Sequence, residues 1–380
     1  MKKILLSVSF LLNMICFSQN IKVSGKSFRP FKYKIMLSNS FQNKYYNGNQ
    51  TRDSASVKDG KFNFTVPAHT LDIPYAYQFS DKINAQSFYK SSTFFIDSKT
   101  KKVVVGKEND LENFEVATDN DFVNKEVLKF QNYFEKLNID RNNFFETSRK
   151  EYEKFENKEE IPQKFWDEYE ISEKKYSIKE DSLLLNFSKA NPNSFVALWK
   201  LIEKFERNGY SEIYEEVFNQ FSPDLKAKPT AETLGLAIKQ ASVFQVGKKF
   251  PILKIKNIKN NKEFGLPEAK YVLVDFWFSS CKPCLEQMPQ YVELYSKYQA
   301  KGFQIIGIAT DQNKYKSNLE NTIQKFKIPW NNYWDQNGTQ SSKWTITSFP
   351  TNFLLDENGS ILVKNISEKE LSELLNKNLN

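Results

Sequence analysis

Apolar and polar residues alternate in short runs from about residue 20 onward, and the period lengthens near residue 118. K-I-M-L (34–37), K-F-N-F-T-V (61–66), F-F-I (94–96) and K-V-V-V (102–105) are short and rich in β-branched and aromatic residues, as half-buried strands are. Asn47-Gly48, Asp59-Gly60 and Pro74 fall between them and supply turns. This spacing predicts a β-rich, sandwich-like antiparallel domain over 19–117. From 118 to 243 the apolar positions recur three and four residues apart. Phe122, Val123, Val127, Leu128, Phe130, Tyr133, Phe134 and Leu137 trace one such stripe, and similar patterns cover 161–190, 193–207 and 210–221. Asn191-Pro192-Asn193 breaks two of them, with Ser194 as an N-cap. The Phe and Trp stripes of this helical region read as packing faces rather than a ligand box.

From 244 to 380 the two periods interleave, which predicts an α/β domain. Tyr271 to Phe278 is an apolar strand, Leu285 to Ala300 a helix, Phe303 to Ala309 a buried strand and Lys314 to Phe326 a helix. Thr351 to Leu355 and Ile361 to Lys364 flank the hairpin turn Asp356-Glu357-Asn358-Gly359. Ser367 to Asn378 is a closing helix that opens with a Ser367/Glu370 capping box.

The first residues depart from both patterns. Lys2 and Lys3 precede a mostly apolar run from Ile4 to Phe17, and small residues at Cys16 and Ser18 precede Gln19. This reads as a secretory signal peptide over 1–18, cleaved near Ser18/Gln19, which places the protein in the periplasm or cell envelope. The run is short of the ~20 residues of a spanning helix. Lipidation at Cys16 is a weaker reading, because Asn13-Met14-Ile15 lacks the small residues that such a site needs. The formal charge is +8, but Lys and Glu alternate throughout and no Arg-rich block appears, so a solvated surface is implied and nucleic-acid binding is not.

The three cysteines change the picture most. If Cys16 leaves with the leader, the remaining two, Cys281 and Cys284, form one C-x-x-C. Exported proteins that use disulfides as braces usually bridge distant positions, so a single vicinal pair points to redox chemistry. At a strand-to-helix turn Cys281 meets unpaired N–H groups and the positive end of the helix dipole, with Lys282 beside it; all three favour the thiolate, which is the attacking species. Pro283 suits the first helical turn. Cys284, one turn inward, would attack the mixed disulfide and release product. A structural zinc site needs about four N or S ligands, whereas only these two cysteines and the distant His69 are on offer. A static bridge closing so short a loop would stabilise little. No cofactor beyond the cysteine pair is expected.

Asp275 interrupts the apolar run Y-V-L-V-D-F-W-F. A buried carboxylate there would have a raised pKa and could take the Cys284 proton; the plainer reading is a strand-end residue paired to a lysine. Pro350, in T-S-F-P-T, precedes an apolar strand and on its own reads as a turn or edge device.

Taken together, V-G-K-K-F-P (246–251), V-D-F-W-F-S-S-C-K-P-C, Pro289 five residues past Cys284, G-F-Q-I-I-G-I-A-T-D and F-P-T-N-F-L-L-D-E-N-G resemble, in order and spacing, the TlpA/ResA-like family of exported thiol–disulfide oxidoreductases. The resemblance covers residues 244–380 and implies a thioredoxin fold there, with Cys281 as nucleophile, Cys284 as resolving thiol and Asp275 as proton shuttle. It further implies a cis Pro350 facing the disulfide, with Phe349 offering backbone to a substrate strand, and Trp277, Lys282, Pro283 and Glu286 as supports. Three departures stand out: Ser280 where the family often has Trp, Gln287 with Glu286 next to it where many members have Glu, and Asp275 itself, which resembles thioredoxin. The residues before Cys281 lack the Thr and Pro of a peroxiredoxin. Protein thiols and disulfides are the implied partners, with a membrane electron donor if the flux is reductive. The main role could instead lie with an envelope-binding or adaptor function of the N-terminal regions, and 118–243 could mediate a homodimer.

Overall fold

In the computed structural model the described residues are 20–31, 34–48, 50–67, 72–82, 88–110, 112–155 and 161–379. The expected signal peptide over 1–18, with Cys16, and His69 lie outside them. The chain forms two compact units. One holds the described residues up to Tyr176 with 193–199 and 222–231; the other holds 177–192, 200–221 and 232–379.

The first unit contains β1 (Asn20–Ser27), β2 (Ile35–Asn39), β3 (Arg52–Ala55), β4 (Lys61–Pro67), β5 (Tyr75–Lys82), β6 (Phe88–Lys90), β7 (Phe94–Ile96), β8 (Lys102–Val105) and β9 (Val116–Thr118). They form two sheets, ordered β4-β1-β8-β9 and β3-β2-β5-β6 with β7 also on β5. Phe62 and Phe64 of the first sheet meet Phe79 of the second at ring-centroid distances of 5.7 and 5.3 Å, as expected of a sandwich-like core. The expectation of purely antiparallel pairing is corrected: β1 is antiparallel to β4 but parallel to β8. Parallel neighbours need a crossover, and the strands of the second sheet supply it. The two longest strands, β1 and β5, leave no clear mark in the sequence pattern. The inward positions of β1 include Gly25 and Ser27, too small to register as an apolar period, while β5 is buried over most of its length and so does not alternate.

The helices that follow are α1 (Asp121–Glu153), α2 (Gln163–Ala190), α3 (Phe195–Asn208), α4 (Glu212–Gln220), α5 (Pro223–Lys226) and α6 (Pro229–Ala241). Ser194 caps α3, its hydroxyl accepting from Ala197 N at 3.3 Å. In the first unit Trp199 lies against Phe41, Tyr46 and Tyr75 and donates to the Pro74 carbonyl at 2.8 Å. In the second, buried Lys204 is held by Glu180 at 2.8 Å and Asp181 at 2.9 Å, so the ammonium is not left uncompensated.

The rest of the second unit is β10 (Lys256–Asn257), β11 (Tyr271–Trp277), α7 (Lys282–Tyr298), β12 (Phe303–Ala309), α8 (Lys316–Lys325), β13 (Asn331–Trp334), α9 (Thr339–Lys343), β14 (Thr351–Asp356), β15 (Ile361–Lys364) and α10 (Glu368–Leu379). One sheet runs β10-β13-β12-β11-β14-β15, with β11 parallel to β12 and antiparallel to β14. Alternation along β11 divides two cores. Leu273 and Trp277 face Cys284, Tyr291, Leu371 and Leu375, whereas Val272, Val274 and Phe276 face Phe244, Phe250 and Phe353. Helix α7 begins three residues before its expected start, because Cys281 caps it and Pro283 fits its first turn. Strand β13, N-N-Y-W, is not visible in the sequence pattern; its Asn332 is buried because the side chain accepts the Trp277 indole N–H at 3.2 Å.

That bond fixes Gly307 on β12. A Cβ there would lie 2.1 Å from Asn332 Oδ1 and 3.0 Å from Trp277 Nε1. Gly307→Ala is therefore expected to destabilise the protein by about 1–3 kcal/mol, the usual cost of overpacking a well-filled core, measured by denaturant unfolding followed through tryptophan fluorescence.

Candidate active site: the strand-to-helix junction at Cys281

Strand β11 ends at Trp277 and α7 starts at Lys282, so the intervening turn is short and fixed at both ends. Thr310 N donates to the Trp277 carbonyl at 2.9 Å, and Cys281 N donates to the Phe278 carbonyl at 3.0 Å. Asp311, just past β12, takes the Ser279 N–H at 3.1 Å and also the Ser279 hydroxyl. Burial raises the Asp311 carboxyl pKa, and the bonds from Ser279 oppose that rise. Nothing in the sequence reading singled out Asp311; its one signal was an acidic residue directly after a buried apolar strand.

Cys281 and Cys284 are joined as a disulfide with Cα atoms 5.3 Å apart, and both are buried. Cys281 is the N-cap of α7, where its sulfur accepts from Cys284 N at 3.3 Å. A thiolate at this position would receive the same N–H and the field of the helix N-terminus. Lys282 and Glu286 pair with each other at 3.7 Å on the exposed side of α7. Pro283 is exposed in the first turn, and Gln287 is half-buried with no hydrogen bond to its Oε1 among the described residues.

Asp275 lies inside β11, on the face it shares with Leu273, Trp277 and the packed side of α7. It is 2% exposed, and Oδ1 has no hydrogen-bond partner among the described residues. Burial, with a smaller contribution from Glu368 at the start of α10, pushes its pKa up to about 7. The plainer reading, a strand-end residue paired to a lysine, is not what the structure holds. Its cross-strand neighbour Asn352 donates to Tyr291 Oη at 3.3 Å and to the Ile366 carbonyl at 3.1 Å. Burial and then the nearby Asp275 raise the Tyr291 pKa further. Tyr291, Asn352 and Glu368 thus surround the carboxyl, and the sequence reading missed all three. Asn352 carried the same signal as Asp275, a polar residue inside an apolar strand.

The Phe349–Pro350 bond is cis. Phe349 meets Phe278 edge-on at 5.4 Å, which ties the cis-proline segment to the turn that carries Cys281. A cleft of about 450 Å³ opens beside Ser280, lined among others by Phe278, Thr310, Asp311, Tyr315 and Phe349.

The thioredoxin-type sheet and a C-x-x-C at the helix N-terminus define a thiol–disulfide oxidoreductase of the thioredoxin fold. A thioredoxin-like family model matches residues 268–361. The thiol–disulfide oxidoreductase ResA of Bacillus thuringiensis subsp. konkukian is 30% identical over 137 residues, 35% of this chain and 78% of that protein. A ResA of Bacillus cereus is 29% identical over 131 residues, 34% of this chain and 75% of that protein. Among solved structures, the thioredoxin domain of a thiol–disulfide oxidoreductase from Bacteroides vulgatus is 28% identical, covering 36% of this chain and 99% of that one with a TM-score of 0.33. The chain belongs, through its C-terminal domain, to the TlpA/ResA-like family of thioredoxin-fold thiol–disulfide oxidoreductases.

The Asp275 pKa has a sign that can be measured. Folding raises it from 3.8 to about 7, so the folded state binds more protons between those values. Stability therefore falls as pH rises through this window, and the loss is complete above it. Asp275→Asn should match the wild type near pH 4 and exceed it by roughly 2–4 kcal/mol at pH 8, read from urea unfolding across that range. Asp311→Ala, which strands the Ser279 donors, should cost about 1–3 kcal/mol in the same assay at pH 7.

Proposed function

We propose that this protein is exported and exchanges dithiols for disulfides in protein substrates, acting as a reductant or isomerase. The observation that supports this best is the Cys281–Cys284 pair at the N-terminus of α7, backed by a buried carboxyl on the same face of β11. In the reduced form, the Cys281 thiolate attacks a substrate sulfur and displaces the other as a thiolate. Asp275 takes the Cys284 proton, and Cys284 then attacks Cys281 Sγ. The enzyme disulfide forms, the second substrate thiolate leaves, and two electrons have passed to the substrate. The electrons travel on the cysteine pair itself, with no further cofactor. Phe349 and Pro350 frame the docking groove, where an extended substrate segment can pair with backbone. Among the described residues Asp311 is the one charged side chain lining the adjacent cleft, and it is already engaged by Ser279. The cleft therefore suits neutral, polar stretches around the substrate cysteine.

The apolar leader pattern at 1–18 supports export. Among the described residues no helix is long and apolar enough to cross a membrane. A reductive role in an oxidising compartment needs a membrane electron donor. Phe88 and Tyr89 on β6, 46% and 58% exposed, favour a second reading in which the N-terminal sheets bind an envelope partner and redox activity is secondary.

The deciding measurement is the equilibrium redox titration of the full chain against glutathione. A potential near the about −270 mV of thioredoxin supports a reductant, and one near the about −120 mV of DsbA reverses the direction. Cys281→Ser should abolish exchange, and Cys284→Ser should accumulate mixed disulfides with protein thiols. Asp275→Asn should slow resolution at pH 7 by a factor on the order of 10². Absence of reversible exchange in the wild type would leave the binding reading in its place.

A further inference from the structure

On the packed face of α7 stands a phenol that the exchange steps above do not use. Tyr291 follows Cys284 by seven residues, two turns along the same face of the helix, and is fully buried. Packing alone would be met by a phenyl ring; the hydroxyl adds a buried polar group that has to be hydrogen-bonded. Its oxygen accepts from Asn352 Nδ2 at 3.3 Å. The direction of that bond is fixed. Ile366 N donates to Asn352 Oδ1 at 2.9 Å, and Nδ2 donates its other proton to the Ile366 carbonyl at 3.1 Å. The amide therefore cannot turn its oxygen towards Tyr291, and the phenolic proton must point elsewhere. Among the described residues no hydrogen bond takes that proton. Asn352 is also the cross-strand partner of Asp275, and the two side chains rise from the same face of adjacent strands, where paired Cβ atoms lie about 4.5–5.5 Å apart. The phenol and the carboxyl thus flank one amide, and Asp275 Oδ1 is an acceptor without a donor among the described residues. Of the two carboxyls that act on Tyr291, Asp275 has the larger influence and Glu368 the smaller.

We propose that Tyr291 is a positioning residue for Asp275: when the carboxyl ionises, the phenolic O–H that Asn352 orients donates to the carboxylate. The inference rests on the reading that Asp275 is the base for Cys284. Burial, and then the neighbouring carboxyls, raise the Tyr291 pKa, so the phenol keeps its proton throughout and is a donor rather than a relay. In the resolving step the Cys284 proton goes to Asp275, the Cys284 thiolate attacks Cys281 Sγ, and Tyr291 holds the carboxylate ready beforehand. The titratable groups facing Asp275 are Cys284 and Tyr291 from α7 and half-buried Glu368 from the start of α10. Asn352 from β14 and Gly307 from β12 do not titrate. Glu368 disfavours the carboxylate, so Tyr291 is the member of this set that favours it.

The test follows the carboxylic-acid C=O stretch of Asp275 in infrared spectra of the oxidised full chain, identified by its loss in Asp275→Asn. In the oxidised form neither cysteine titrates, so Asp275 is read without them. The wild-type band should disappear with rising pH around a midpoint of about 7. Tyr291→Phe keeps the ring, and its melting temperature shows that the fold is kept. It should raise the midpoint by about one to two pH units, the loss expected for one hydrogen bond to a charged group. Glu368→Gln should lower the midpoint instead, because it removes a like charge. The second readout is the reduction of oxidised glutathione by the reduced chain, whose pH profile should move upward in Tyr291→Phe. A raised infrared midpoint in a chain that does not exchange with glutathione would keep the hydrogen bond and remove the enzyme reading. An unchanged or lowered midpoint in folded Tyr291→Phe would overturn the proposal, whether or not glutathione is reduced, and would leave Tyr291 as packing.

Discussion

The redox domain depends on one constraint: β11 is hydrogen-bonded on both sides and buried on both faces, and it ends where α7 begins. A strand held by β12 and β14 cannot slide or tilt, because a shift of one residue would exchange its two faces. Its last residue, Trp277, is pinned further by Asn332 and by Thr310 N. With the strand end fixed and α7 packed through Met288, Tyr291, Leu294 and Tyr298, the turn between them has little freedom. Cys281 becomes the helix cap as a consequence of packing that lies mostly behind it.

The same constraint explains how a carboxylic acid can be kept in the core. Asp275 is on the α7 face because alternation puts it there, and the strand cannot turn it out to water. The protein tolerates the resulting cost by raising the pKa of the group to about 7, so that it exchanges its proton near neutrality, rather than by pairing it with a cation. Tyr291 and Asn352 supply polarity around it without neutralising charge. Such an arrangement sacrifices stability at neutral pH for a group that can exchange a proton there.

One polar mismatch therefore lies in the core beneath α7. On the α7 side an acceptor, Asp275 Oδ1, is buried without a donor among the described residues. Most buried polar groups in folded proteins find partners, so residual imbalance tends to mark places where something else completes the set. For Asp275 that completion is a proton.

Local chemistry made much of this legible in the sequence. The period-2 runs, the helical stripes and the C-K-P-C ahead of a helix depend only on neighbours within a few residues, and the family resemblance rests on the order of such pieces. Asp275 stood out because a charge inside Y-V-L-V-D-F-W-F conflicts with its surroundings, and Asn352 carried the same mark unnoticed. What the sequence could not set is every relation between segments far apart in the chain. The parallel β1–β8 pairing, the Asn332–Trp277 bond that makes N-N-Y-W a strand and the grip of Asp311 on Ser279 all depend on tertiary packing. Burial and partnership are properties of the packed chain, fixed by which distant groups arrive beside a residue and which do not.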